Sequence, residues 1–344
     1  MRNKRVKLII ERFFYSLLVL LGLSILIFVM SRIMPGDSAR MALGESAPEE
    51  AVENLRITMH YYEPLYIQYF YWFKNILHGD FGNSLVTNRP VLEDIVRNLP
   101  ATFELATFAF LFMSIAGITV GVLSARYKNT WVDNLGRIIS YFGVVTPSFV
   151  VAIMGMLVFC YLLNVLPAMG RLSPELIVPP RITGFITIDA LIQSNFKVFF
   201  DAVKHLILPT VSLGLLGVGT QARITRGSVY KNMKKDFITA AVSYGIPERV
   251  ILFRDLLRPS LAGPISLIGL QFGSLMANAF LVELIFNWPG FARYGMNAIL
   301  QNDLNAISGI VLTMGVIFVL SNIIVDFIVN FLDPRIHLIK ERNE

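Results

Sequence analysis

Few residues in this chain are placed to do chemistry. The four histidines, His60, His78, His205 and His337, are scattered without a His-x-x-x-His pair or an HExxH, and they read as structural. The single cysteine, Cys160, stands in an apolar run as a small buried residue, so no intrachain disulfide or cysteine metal cluster is expected. There is no G-x-x-x-x-G-K-[ST] phosphate loop, so any ATP must be hydrolysed on another polypeptide. No catalytic residue, metal ligand or bound cofactor is assigned. Two groupings remain. Glu104, Glu283 and Asp326 are ionisable groups in apolar surroundings, as proton or sodium coupling would need. Each lies near an end of its run, where interfacial water or a basic neighbour is the ordinary partner. The second grouping is the charged stretch "DFITAAVSYGIPERVILFRDLLRPSLAGPIS", Asp236 to Ser266, wedged between hydrophobic runs.

That stretch reads as helix, turn, helix. Asp236 can cap a helix over about 237–244, which Gly245 closes in a left-handed conformation. Pro247 suits the first turn of a second helix, with Glu248 favourable there and Arg254 and Arg258 favourable near its other end. Each helix has only about two turns, below the roughly 12 to 15 residues at which an isolated helix is marginally stable, so both need a partner surface. Phe237, Ala240, Ala241 and Tyr244 share one face by spacing, as Val250, Phe253 and Leu257 do on the second helix. Periodicity leaves two readings open: the hairpin packs beneath its own membrane helices, or it docks into another protein.

The elements that must position these groups are membrane helices. The chain is 55% hydrophobic and 16% charged, well away from an ordinary soluble domain. About six apolar runs meet the length a spanning helix needs, near 13–34, 100–125, 138–166, 203–222, 261–285 and 305–331. The first is too long for a removable signal, lacks a small-x-small ending, and reads as a retained helix. Lys and Arg collect in the N-terminal segment, around 126–137, through 223–258 and after 335, which puts both termini in the cytoplasm. The net charge of +6 is a topology signal, and no nucleic-acid partner is expected.

Within the runs, Asn164, Gln271, Asn278, Asn322 and Asn330 are expected to tie helices together by hydrogen bonds. Gln271, Ser274 and Asn278 share a face of span five and are the candidate lining of a passage, with Gly273 and Ala277 beside them. Outside the membrane, residues 35–99 are long for a connector. A helix start at Ser46, Pro48, Glu49 and Glu50 leads to an aromatic run suited to the interface, and then to the turn residues "HGDFGNS".

"FITAAVSYGIPERVILFRDLLRPSLAGP" resembles the Glu-Ala-Ala…Gly coupling motif of ATP-binding-cassette importer permeases, in particular the branch importing dipeptides and oligopeptides. The likeness extends over nearly the whole chain, through "MPGD", "GDFGNSL", "PVLEDIVRNLPATFELA", "TPSF", "LPAMG", "HLILPTVSLG", "ARITRGS", "VELIFNWPGF" and "LDPRIH". Ala240, Ala241 and Gly245 match the motif, and Asp236, Phe237 and Ile238 its lead-in. Thr239 replaces the acidic position, Val242 and Tyr244 stand where basic residues are usual, and Asp255 stands where His is common. Gly263 displaces the proline to Pro264. These departures imply an ATPase groove less acidic or more apolar than is usual.

The resemblance implies an all-α membrane permease with three regions. Residues 1–96 carry the first transmembrane helix and the external segment, 97–332 the core with five spans and the coupling hairpin 236–259, and 333–344 a cytoplasmic tail. It implies a subunit of a prokaryotic inner-membrane importer working by alternating access, without an ATPase site of its own. Its partners would be a second related permease, two cytoplasmic ATPases that use ATP and Mg, and an external solute-binding protein. Segment 36–98 and loop 286–304 are the candidates for contact with that receptor. The implied ATPase contact is Asp236, Phe237, Ala240, Ala241, Tyr244, Gly245, Pro247, Val250 and Phe253. Peptides are the expected substrate, with oligosaccharides or metal chelates as alternatives. An ion-coupled carrier and a membrane scaffold or insertase are the rival classes.

Overall fold

A computed structural model describes residues 2–33, 38–43, 47–58 and 60–332. The "MPGD" motif, Ser46 and His337 fall outside them, as do "LDPRIH" beyond its first residue, the tail 333–344 and the side chains of Asp326 and Asn330. Among the described residues every regular element is a helix; extended pairing is limited to an isolated bridge between Asn83 and Pro90. In chain order the helices are α1 (Arg2–Ile33), α2 (Ser38–Leu43), α3 (Glu49–Thr58), α4 (Leu65–Leu77), α5 (Val91–Arg126), α6 (Trp131–Val145) and α7 (Ser148–Gly155). Then come α8 (Ile186–Ile192), α9 (Phe196–Met233), α10 (Asp236–Ser243), α11 (Glu248–Val250) and α12 (Arg258–Ser260). Last are α13 (Ala262–Ile285), α14 (Phe291–Leu300) and α15 (Leu304–Leu332). Wider π turns extend α7 over Met156–Leu162 and join α11 to α12 over Ile251–Leu257.

Four described helical stretches are long and apolar enough to cross a membrane: Phe14–Arg32, Val91–Arg126, Phe196–Met233 and Leu304–Ile324. The expected third span, 138–166, is not one straight helix. α6 and α7 form a pair bent by 109°. Pro147 has no N–H to donate and disfavours helical backbone at the residue before it, and Thr146 is extended at φ −85, ψ 121. About six spans are reached only if this bent pair and α13 each count as one.

The chain divides into two compact units: Met1–Ala101 with Pro289–Val319, and Thr102–Trp288 with Leu320–Glu344. In the first, Phe28 of α1 packs edge-on against Tyr69 of α4 at 5.4 Å, and Ser24 shares a hydrogen bond with the Tyr69 hydroxyl at 2.8 Å. α3 opens on Glu49 and Glu50, where carboxylates complement the helix dipole. The "HGDFGNS" turn takes positive φ at Gly79 and Gly82, and Asp303 holds its far end. The buried Asp303 carboxylate accepts from Ser84 Oγ at 2.6 Å and Leu85 N at 2.8 Å, and from Ala306 N at 3.0 Å as the cap of α15. Beneath lie Val91, Ile95, Phe291, Tyr294, Ala298, Ala306 and Ile310. Burial, together with the nearby negative charges of Asp94 and Asp303, pushes the Tyr294 phenol well above its ordinary pKa.

The second unit is organised on α9, against which α6, α7, α8 and α13 pack. Backbones approach closely where side chains are missing: a Cβ on Gly143 would sit 2.5 Å from the Leu215 carbonyl, and one on Gly219 2.5 Å from that of Ser140. Glu104 is buried and meets the basic neighbour expected of it. Arg171 pairs with its carboxylate, which also accepts from Thr187 N at 2.9 Å and Thr187 Oγ1 at 2.6 Å. Glu283, also buried, accepts from the Thr102 hydroxyl. Asp189 fastens the loop before α8. Desolvation raises its pKa, but bonds from the Thr183 N–H and hydroxyl and from Gly184 N outweigh that and hold it below the usual carboxylate range.

The described histidines take local structural roles. His60 stacks on Tyr71 at 4.0 Å, while Nδ1 of His78 and of His205 meet the carbonyls of Lys74 and Asp201. No group of His, Cys, Asp and Glu among the described residues could hold a metal. Cys160 is only partly buried, and its thiol reaches the Pro167 carbonyl at 3.3 Å.

Candidate coupling surface and passage

α10 begins one residue earlier than its sequence signals imply: Lys235 occupies the cap position without a side-chain bond, and Asp236 is in the first turn. Its carboxylate therefore acts on the helix dipole rather than as a cap. The far end is a Schellman closure. Gly245 sits at φ +70, its N–H bonds the Val242 carbonyl at 2.9 Å, and Ile246 N reaches back to Ala241 O at 3.2 Å. A Cβ on Gly245 would meet nothing within 4 Å, so its requirement is conformational. Gly245→Ala should therefore destabilise the hairpin by about 1–2 kcal/mol without a clash, read as faster proteolysis within 236–260 while the membrane helices stay protected.

Pro247 stands just outside the second helix, not in its first turn: its carbonyl accepts from Val250 N at 2.9 Å and Ile251 N at 3.2 Å. The second limb is also longer than two turns, since helical backbone continues from Glu248 through the π turns to Ser260 and, past Leu261, into α13. Such turns recur at functional sites.

The hairpin has two apolar faces. Ile238, Ala241, Ile251 and Leu256 are buried against Ala125 of α5 and Val229 of α9, with Val122 and Met233 beside them. Phe237, Ala240, Tyr244, Val250 and Phe253 are exposed, Tyr244 at 85% and Phe253 at 68%, and Val242 and Ile246 widen that surface. Two residues depart from the faces expected for them. Leu257 is half-buried against the same cluster rather than exposed with Val250 and Phe253. Ala241 turns inward beside Ile238, because the axis of burial passes between those two and not through the Phe237–Ala240–Tyr244 row. An ion pair between Arg126 and Glu248 at 2.8 Å adds little, since the Glu248 side chain is 76% exposed.

Gln271, Ser274 and Asn278 are brought together on the wall of a cavity of about 670 Å³ in the second unit. Facing them are Thr146, Pro147 and Ser148 of the α6–α7 break, and Leu213, Gly217 and Thr220 of α9. None of the described side chains that line it is charged. Asn278 does not tie helices together as expected: its Nδ2 donates to the Ser274 carbonyl one turn back, at 2.7 Å. Asn164 ends the α7 run with φ +51 and belongs to a turn. Among the bonds that do join helices, three come from residues sequence reasoning passed over, Gln221, Ser228 and Asn232 of α9. Their signal was a polar row at helical spacing opposite Pro264. The break at Thr146–Pro147 was likewise marked only by a proline within an apolar run.

Known proteins match this chain over most of its length. The family described as binding-protein-dependent transport system inner membrane component matches residues 117–338, and the family describing the N-terminal part of such membrane components matches 5–106. The chain is 36% identical over 326 residues to a probable D,D-dipeptide transport system permease protein of Escherichia coli, covering 95% of this chain and 96% of the relative. It is 37% identical over 320 residues to a dipeptide transport system permease protein of Alkalihalophilus pseudofirmus, covering 92% and 95%. A di/tripeptide transport system permease protein of Pseudomonas aeruginosa is 31% identical over 338 residues, covering 97% of each.

Proposed function

Because this chain belongs to the family of binding-protein-dependent transport system inner membrane components, we propose that it is the permease subunit of an ATP-driven peptide importer, working by alternating access. The observation that carries this reading is the second apolar face of the hairpin: one side is rooted on α5 and α9, and Phe237, Tyr244, Val250 and Phe253 remain uncovered on the other. A pair of cytoplasmic ATPases fits that face. They bind ATP and Mg, while this chain holds no cofactor and catalyses no reaction. By gripping the hairpin differently in their open and closed forms, they bias the spans between inward and outward states. A second related permease completes the passage, an external solute-binding protein delivers the ligand, and both termini of this chain are cytoplasmic. Segment 36–98 and loop 286–304 supply the receptor contact.

Peptides are placed ahead of oligosaccharides and metal chelates because the relatives are named for dipeptides and tripeptides. An ion-coupled carrier is disfavoured by Glu104, whose carboxylate is pinned by Arg171 and Thr187 rather than free to take and release a cation.

The cavity gives the passage a testable character. Among the described residues the walls are neutral, offering hydrogen bonds from Gln271, Ser274, Asn278, Thr146, Ser148 and Thr220 but no counter-charge, so peptides of either side-chain sign should cross at similar rates once delivered. Ser274→Asp should impose a preference for lysyl over glutamyl dipeptides of about tenfold in import by the reconstituted complex. Equal import of the two by this variant would remove Ser274 from the passage.

A further inference from the structure

Pro264 lies in the first turn of α13, and a proline there leaves a hole in the ladder of backbone bonds. Leu261 N bonds Leu257 O at 2.9 Å and Ile265 N bonds Leu261 O at 2.8 Å, so the helical backbone runs through the junction. The carbonyl that Pro264 would have satisfied, four residues back, is that of Ser260. Its donor comes from another helix: Ser228 Oγ of α9 donates to Ser260 O at 2.6 Å. Asn232 Nδ2 donates to Ser260 Oγ at 2.9 Å, that hydroxyl donates to Leu256 O at 2.6 Å, and Gln221 Nε2 donates to Pro264 O at 3.2 Å. Gln221, Thr225, Ser228 and Asn232 fall at i, i+4, i+7 and i+11, one face of α9. Ser260, Gln221 and Thr225 are fully buried.

We propose that Gln221, Ser228 and Asn232 of this row, the last two as positioning residues, clamp the proline junction to α9 and make α9 the transmission element between hairpin and passage. Three observations converge on it. The buried side of the hairpin rests on Val229 and Met233 of the same helix. The segment entering the junction is built of π turns, a geometry frequent at functional sites. And α9 itself forms a wall of the cavity through Leu213, Leu216, Gly217 and Thr220. A push on the hairpin therefore reaches the passage through α9 as well as along α13, and the clamp keeps the two helices moving together.

The inference rests on the importer reading, and the test separates the two. The complex, co-purified from its host and reconstituted with its binding protein, is assayed for ATP hydrolysis and for uptake of alanyl-alanine. Three forms are compared: Ser228→Ala, the same with Pro264→Ala, and Ser228→Thr. Pro264→Ala restores an N–H to the Ser260 carbonyl, so the double variant repairs the backbone but not the link to α9. The expected result is uptake per ATP reduced by about tenfold in both forms lacking the hydroxyl, and near wild type in Ser228→Thr. Recovery of uptake in the double variant would make Ser228 a filler of a backbone gap and overturn the proposal, as would unchanged uptake in Ser228→Ala. If ATPases fail to co-purify even with the wild-type chain, the importer reading itself is lost.

Discussion

Phe253→Asp combined with Tyr244→Asp should abolish co-purification of ATPase subunits while leaving the permease folded in detergent. Both side chains point away from the rest of the chain, so neither contributes to its own core. A partner groove that receives them must bury two aromatic rings, the residue type that dominates interface energetics. Losing such an anchor typically costs about 2–4 kcal/mol, and replacing it with a carboxylate adds the cost of desolvating a charge. Each substitution should weaken assembly by roughly 30-fold or more, and the pair should bring it below detection. Ala241→Asp is a control with a different signature. Ala241 is buried against Ile238 and the α5–α9 surface, so a charge there should unfold the hairpin and expose 236–260 to protease. Assembly lost in the double variant without new protease sites is the expected pattern.

Asp303→Ala should be the most destabilising single change in the first unit. The carboxylate is fully buried, caps α15 through Ala306 N, and holds Ser84 Oγ and Leu85 N of the "GDFGNSL" turn. Removing it strips the cap and leaves buried donors without an acceptor, a combined cost of about 3 kcal/mol or more. Asp303→Asn should be milder, because one oxygen can still accept from Ala306 N. Melting curves in detergent should order the three forms wild type, Asn, Ala. Receptor-stimulated ATP hydrolysis should fall in the same order, because Asp303 ties together the two segments assigned to receptor contact. A midpoint for Asp303→Ala equal to wild type would contradict this role for Asp303.

The readings that survived depended on local rules. Gly245 was legible because a glycine after an apolar helical run, with Pro247 two residues on, has few other uses, and its φ of +70 agrees. Gln271, Ser274 and Asn278 were legible as one wall because helical spacing alone puts them on a face, and they meet at the cavity. Readings that failed needed knowledge of what packs on the other side. Spacing groups Ala241 equally well with Tyr244 or with Ile238, and only the position of α5 and α9 decides between them. The break at Thr146–Pro147 was hidden because hydropathy averages over a window and does not register one missing N–H. Asn278 could satisfy itself on its own helix, an option that polarity in a membrane segment does not reveal. The clamp on Ser260 was legible only by pairing an orphaned carbonyl with a donor from 32 residues away.

The central claim is that the exposed face of the hairpin is gripped by a separate ATPase. A photo-crosslinking amino acid placed at Phe253 in the intact complex, illuminated during ATP-driven uptake, tests it most directly. The predicted product is an adduct between this chain and an ATPase subunit, absent when the label sits at the inward-facing Ala241. Adducts confined to this chain throughout turnover would contradict the account.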